Sequence, residues 1–318
     1  MAFSDLQKFH ESTYSVMGEL LDYQFEKFNA ASAGTIVLRS GGNNVGDVTE
    51  RALYKLTSNI VKRRDPAGTG AIASKDMSHI KDVSVKVGGG SYPVNLTKAW
   101  WSWIKRSPEE AAAVFAQQLA EQRLQDYFLT GLGAGLAVLN KHTELVYDGS
   151  ATTMDISKFV DGQALYGDSM NDIVCWVMHS APLNQIYKGN LANGQQLFQY
   201  GSVNIQRDPF GRLFVITDSA PLVGATFYNV LGLTSNAIVV EDNGDFNQNI
   251  TETNGKENIE TTYQSEWSFQ LGVKGHAWDQ ATAGSGAPTT SALTTAANWS
   301  QYSTSPKDGP GVLIKTKK

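Results

Sequence analysis

A chain of 318 residues, 41% hydrophobic and only 18% charged, holds enough apolar material for a sizeable core, which excludes disorder along its whole length. The balance of 26 Lys+Arg against 31 Asp+Glu excludes the basic excess of a free nucleic-acid binder, and one cysteine excludes a disulfide framework. So little charge leaves much of the surface to Ser, Thr, Asn, Gly and exposed apolar atoms, a surface suited to meeting other copies of itself.

The start, Met1-Ala2-Phe3-Ser4-Asp5, has no basic residues ahead of an apolar run, so no signal peptide is read there. The most apolar stretch, Leu129 to Leu139, falls short of the about 20 residues a bilayer crossing needs. A soluble chain, intracellular when made and without membrane contact, is the expectation. Residues 1–34 are predicted helical. Leu6, Phe9, Thr13, Val16, Met17, Leu20, Leu21, Phe25 and Phe28 recur at three- and four-residue steps, and Gly34 stands where a stop belongs. Nothing near in sequence partners this stripe, so it must pack on another part of the chain or on another chain.

Thr35 to Arg39 is a short strand candidate, followed by the flexible Gly41-Gly42-Asn43-Asn44. From there to about Leu96 the chain is turn-rich and poor in bulk. It carries the basic run Lys62-Arg63-Arg64, the breakers Asp65-Pro66 and Gly68-Thr69-Gly70, and an alternating strand Val83 to Val87 turned by Gly88-Gly89-Gly90. This is the pattern of an extended two-stranded ribbon, which is marginal by itself. Ser107-Pro108-Glu109-Glu110 is a capping box opening a long helix through Thr130, with Val114, Phe115, Leu119, Leu124 and Phe128 on its buried side and Gly131 as its end. Residues 145–250 alternate strands with shorter helices. The strands are Asp172–Met178, Leu213–Thr217, Thr226–Leu233 and Ala237–Val240, and Ser180 is read as the cap of a helix running towards Leu191. Alternation returns from Thr261 to Trp278, and Gly311 to Thr316 is a last short strand.

Motifs for chemistry are weak. His10, His79, His142, His179 and His276 are scattered, and with Cys175 alone no zinc constellation is read. Asp245 to Asn249 lacks the glycine and the final carboxylate of a calcium loop, since Lys256 stands at position twelve. Gly131-x-Gly133-x-Gly135 follows a helix rather than a strand, so it is read as helix termination with close packing and not as a phosphate cradle. Gly167-Asp168-Ser169 is similar to the nucleophile block of the GDSL esterases, but the one Asp-x-x-His, Asp76 to His79, precedes it and falls in the ribbon. Trp100, Trp101 and Trp103 are read as core or interface anchors. No catalytic residue, cofactor or metal is expected.

The order of elements and the local text resemble the major capsid proteins of tailed double-stranded DNA bacteriophages. Val83 to Val87 running to Pro93-Val94, then Ser107 to Glu110, resemble that family's ribbon strand and spine helix. Met178 to Leu183 and Gly211 to Asp218 resemble elements of its axial domain, while Trp267 to Gly275 and Asn298 to Val312 resemble its C-terminal text. The resemblance implies an α+β Hong Kong 97-type capsid fold. Its parts would be an N-terminal arm (1–34), an extended E-loop (40–98) and a peripheral domain (35–39 and 99–144) with the spine helix at 107–130. An axial α/β domain (145–255) would follow, then return strands and a C-terminal segment (256–318).

The implied function is mechanical. Copies would join as hexamers and pentamers in an icosahedral shell that encloses DNA without sequence-specific binding, built in the host bacterial cytoplasm and found in the virion. A separate scaffolding protein and a portal protein are implied partners, and the presence of a decoration protein is left open. Lys62, Arg63 and Arg64 in the ribbon, and Leu20 and Phe25 in the arm, are the candidates for contacts between subunits. An encapsulin-type compartment, or an esterase using Ser169, are the alternatives.

Overall fold

The structure is a computed structural model. It describes residues 3–41, 46–55, 60–96, 108–189, 195–200, 203–207, 213–255, 257–284 and 286–318. Helix α1 (Phe3–Ala31) buries Phe9, Met17, Leu21, Phe25 and Phe28 against the long helix α2 (Pro108–Lys141) of the same chain. Aromatic pairs mark the contact: Phe9–Phe115 at 5.9 Å, Phe25–Tyr127 at 6.0 Å and Phe28–Phe128 at 5.8 Å between ring centroids. The stripe without a partner in sequence thus finds one in its own chain. Ala33 (φ 52°) and Gly34 (φ 66°) then reverse the backbone into strand β1 (Ile36–Arg39), where the Asn29 side chain bonds both the N–H and the carbonyl of Leu38.

The 34 residues of α2 form a rod of about 51 Å. It does not stop at Gly131 as expected, but runs through Gly131, Gly133 and Gly135 to Lys141. The reason is contact. A Cβ at Gly135 would sit 2.6 Å from Ile238 Cδ1, and one at Gly131 would sit 3.0 Å from Ile238 Cγ2. The glycines let helix and sheet approach, which offsets a helix-interior cost of about 1 kcal/mol each. Capping residue Ser107, the three tryptophans at 100, 101 and 103, and Gly211-Arg212 lie outside the described residues.

Two sheets receive these helices. In the first, β1 lies parallel to β11 (Ile238–Asp242), and β11 pairs with the 14-residue β13 (Glu260–Val273). β13 also carries β3 (His79–Gly90), β4 (Val94–Leu96) and β12 (Asn247–Thr253), and leads to β14 (His276–Trp278) and β15 (Trp299–Gln301). Strand β2 (Val48–Tyr54) hangs on β3 alone. Gly88–Gly90, expected to turn the chain, continue β3 opposite Glu266–Ser268, because a Cβ at Gly89 would lie 2.5 Å from Trp267 Nε1. Glycine here makes room for an indole.

The second sheet runs in the order β5 (Val146–Gly149), β16 (Gly311–Lys317), β10 (Phe227–Thr234), β6 (Ile173–Met178), β9 (Leu213–Thr217), β8 (Val203–Arg207) and β7 (Gln195–Tyr200). Helix α3 (Ile156–Ala164) seats Phe159 on Trp176, with ring centroids 4.8 Å apart. Helix α4 (Ser180–Gly189) begins at Ser180 rather than being capped by it: Asp218 accepts from the Ser180 N–H and His179 Nδ1 from the Ala181 N–H. Sheet membership also crosses the expected boundary at 255. Strands β11 and β12 belong to the first sheet, while the C-terminal β16 lies inside the second, between β5 and β10. Its run Val312-Leu313-Ile314 is fully buried, as a strand covered on both faces must be.

Three chain crossings join the sheets, and they converge on one buried knot. His142, just past α2, and His276 on β14 face each other with Nε2 to Nε2 at 2.8 Å. Thr234 Oγ1, at the end of β10, donates to the carbonyls of Gly309 and Pro310 just before β16, and Lys274 Nζ donates to Thr234 Oγ1 and the Ser235 carbonyl.

Candidate assembly interface

The residues singled out from sequence fall into two groups in the structure. Phe25 is 3% exposed and packs on Tyr127, so the chain's own core takes it. Leu20 is half-buried against the same core. This corrects the expectation for Phe25, for which α2 supplies the apolar partner that the arm lacked in sequence, while Leu20 keeps part of its side chain open. The outward face of α1 presents Tyr14 and Tyr23 instead, with Lys27 Nζ 4.1 Å from the Tyr23 ring centroid.

Lys62, Arg63 and Arg64 are different. Strands β2 and β3 leave the first sheet together at Val48 and Val85, closed by a hydrogen bond from Lys55 N–H to the Ser78 carbonyl. Every described residue from Lys55 to Ser78 is exposed, without regular secondary structure. Val61 is 93% exposed and Met77 79%, which a subunit alone in water has no reason to display together. None of Lys62, Arg63 and Arg64 makes an ion pair among the described residues.

The base of the ribbon is anchored firmly. Arg123 of α2 donates from Nη2 to both carboxylate oxygens of Asp242 of β11, at 2.9 and 2.7 Å, and its Nε donates to Tyr127 Oη at 2.8 Å. Both charged side chains are almost wholly buried, and the guanidinium also stands over the Phe246 and Trp267 rings. Lys86 at the foot of β3 pairs with Asp245 at 3.6 Å. At the opposite end of β13 a second projection, the β12–β13 hairpin, turns through Gly255 at φ 100°, and its sequence carries three carboxylates, Glu252, Glu257 and Glu260, against one cation, Lys256. Neither this hairpin's role nor the Arg123–Asp242 pair was read from sequence. The acidic cluster was open to counting; the ion pair, 119 residues apart, left no local signal.

The candidate chemistry finds no support in the geometry. Ser169 lies in a short 3₁₀ segment, and its neighbour Asp168 pairs with Lys307 at 3.2 Å. Asp76 and His79 belong to the exposed ribbon, and no hydrogen bond links either to Ser169 among the described residues. Cys175 is buried, and burial pushes its thiol up to about 12, which makes it inert. Among the described residues no group of three His, Cys, Asp or Glu could hold a metal ion, and no helix is long and apolar enough to cross a membrane.

Comparison with solved structures places this architecture. The chain is similar to a subunit of the cyanophage Pam1 capsid asymmetric unit, with a TM-score of 0.53 and 10% identity over 90% of this chain and 92% of that one. It is also similar to a chain of the capsid of Ralstonia phage GP4, with a TM-score of 0.50 and 11% identity over 89% and 87%. The fold is therefore the α+β Hong Kong 97-type capsid fold. A family model described as major capsid protein 13-like (Gp13-like) matches residues 5–313, and the chain belongs to that family of major capsid proteins, whose place is the virion capsid. No individual curated protein matches the sequence.

Proposed function

We propose that copies of this chain associate as hexamers and pentamers and close an icosahedral shell around the double-stranded DNA genome of a tailed phage. The observation that carries this reading is the ribbon whose described residues from Lys55 to Ser78 are all exposed, on a chain whose family is that of phage major capsid proteins. Within this reading residues 40–98 act as the E-loop and α2 as the spine of a peripheral domain. The second sheet forms the axial domain around the symmetry axes, and α1 is the N-terminal arm. A ribbon this thin buries too little alone and gains stability when it lies on a neighbour, so assembly completes what folding begins. Closed point symmetry then stops growth at a finite shell.

Separate scaffolding and portal proteins are the partners this role calls for, with assembly in the host bacterial cytoplasm. The net charge of −5 suits an inner wall that confines DNA without holding it. Electron micrographs of the purified protein test the reading. Uniform hollow shells some tens of nanometres across support it, and monomers under every assembly condition count against it. Shells loaded with enzymes instead of DNA would move it to a cargo compartment.

A further inference from the structure

The two projections of the first sheet carry opposite charge and point in opposite directions. Strand β3 pairs with β13 from Gly90 opposite Glu266 to Val85 opposite Leu271, then runs on past the sheet to His79. The β12–β13 hairpin closes at the other end, beyond Glu260. Counting eleven steps from His79 to Gly90 and six more from Glu266 to Glu260, at about 3.3 Å each, the ribbon neck and the hairpin tip stand about 55 Å apart along the strands.

Residues 55–78 must go out and return to the Lys55–Ser78 neck, which limits their reach to about 40 Å. The ribbon's cations cannot meet the hairpin's carboxylates within one chain. On the ribbon, exposed Ile60 and Val61 precede Lys62, Arg63 and Arg64. On the hairpin, Ile259 is 60% exposed between Glu257 and Glu260, and neither Glu252 nor Glu257 makes an ion pair among the described residues. Each patch is an apolar knob beside charges, of complementary sign.

Resting on the capsid reading, we propose that the Ile60–Arg64 segment of one subunit docks on the Glu252–Glu260 hairpin tip of a second copy. The contact joins the two different ends of the sheet, so it is head-to-tail. Repeated with rotation it closes a ring rather than an isolated dimer. It also gives the contact a polarity: like ends carry like charge and repel, so a ribbon cannot settle on another ribbon.

Charge exchange tests this. Lys62→Glu/Arg63→Glu/Arg64→Glu, and separately Glu252→Lys/Glu257→Lys/Glu260→Lys, are expected to weaken assembly by at least about tenfold, because two patches of opposite charge become patches of like charge. The six-fold variant, with both patches exchanged, is expected to assemble to within about twofold of the parent chain, since it restores patches of opposite charge. Circular dichroism of each soluble subunit separates lost contact from lost fold. A second measurement does not depend on charge: Arg64→Cys combined with Glu257→Cys should form an intermolecular disulfide ladder on oxidation, with buried Cys175 silent. Triple variants that assemble as well as the parent, or an exchanged variant no better than either triple, would overturn the contact. So would shells without the ladder, and in each case the parent's own shells leave the capsid reading standing.

Discussion

At the scale of single residues, the feature with the largest measurable consequence is the facing pair of imidazoles at the junction of the two sheets. His276 is fully buried. Around it stand His142, Lys141 and Glu144 from the end of α2 and the turn after it, the Lys274 carbonyl from β13, and Asp308 beside Gly309 ahead of β16. Burial, aided by the nearby charges of His142 and Lys141, pushes the His276 imidazole down to about 4. An unfolded chain, with its histidine near the ordinary 6.5, takes up that proton first. This group's contribution is therefore complete above about pH 6.5 and is lost as pH falls towards 4, an effect of about 3 kcal/mol. Denaturant unfolding of the soluble subunit at pH 7, 5.5 and 4.5 is expected to show the loss, and His276→Gln to flatten it. Equal slopes for parent and variant would dismiss the pair as the cause. None of this was legible beforehand, because residues 134 positions apart share no periodicity.

At the scale of elements, α2 and β11 show how a correct signal leads to a wrong boundary. Glycine ends helices by adopting the left-handed conformation, and Gly34 does so at φ 66°. Gly131, Gly133 and Gly135 have the same chemistry and the opposite use, because Ile238 and Val240 crowd Gly131, Ile238 crowds Gly135 and Thr294 crowds Gly133, leaving little room for a side chain. Gly135→Ala is expected to destabilise the subunit by about 1–3 kcal/mol despite the better helix propensity of alanine. Adding Ile238→Val should recover part of that loss, a coupling that a double-mutant cycle reads directly. If Gly135→Ala stabilises the chain, the close-approach account fails. Helix α1, strand β13 and the alternation of β3 were legible from period and residue type. The continuation of β3 through Gly88–Gly90 was not, since it depends on where Trp267 lies across the sheet.

At the scale of the whole molecule, a well-packed two-sheet body carries a ribbon that it does not need for its own fold. The core of α1, α2 and β13 takes nothing from Lys55 to Ser78, all of whose described residues are exposed. Replacing residues 60–74 with Gly-Gly is therefore expected to change unfolding free energy by less than about 0.5 kcal/mol while abolishing shells. Calorimetry and micrographs of the same preparation check the two halves. A large drop in stability would show that the ribbon serves folding rather than assembly.

The sequence alone determined the order of elements, the amphipathic arm, the start of the long helix, the existence of an exposed basic ribbon and the capsid resemblance. All of these rest on local period, on turn chemistry or on the order of many weak matches, and such signals survive without contacts. Of that helix's expected buried side, Leu119, Leu124 and Phe128 are buried, whereas Val114 is 47% exposed because α1 and the sheet leave its side of the helix uncovered. Only the tertiary structure decided where the arm packs and how far α2 runs. It also decided that β16 returns to the middle of the second sheet, and that the basic ribbon and the acidic hairpin occupy opposite ends of β13. Those outcomes are set by which surfaces meet across hundreds of residues of chain, and burial, steric fit and charge separation in space have no counterpart in local spacing.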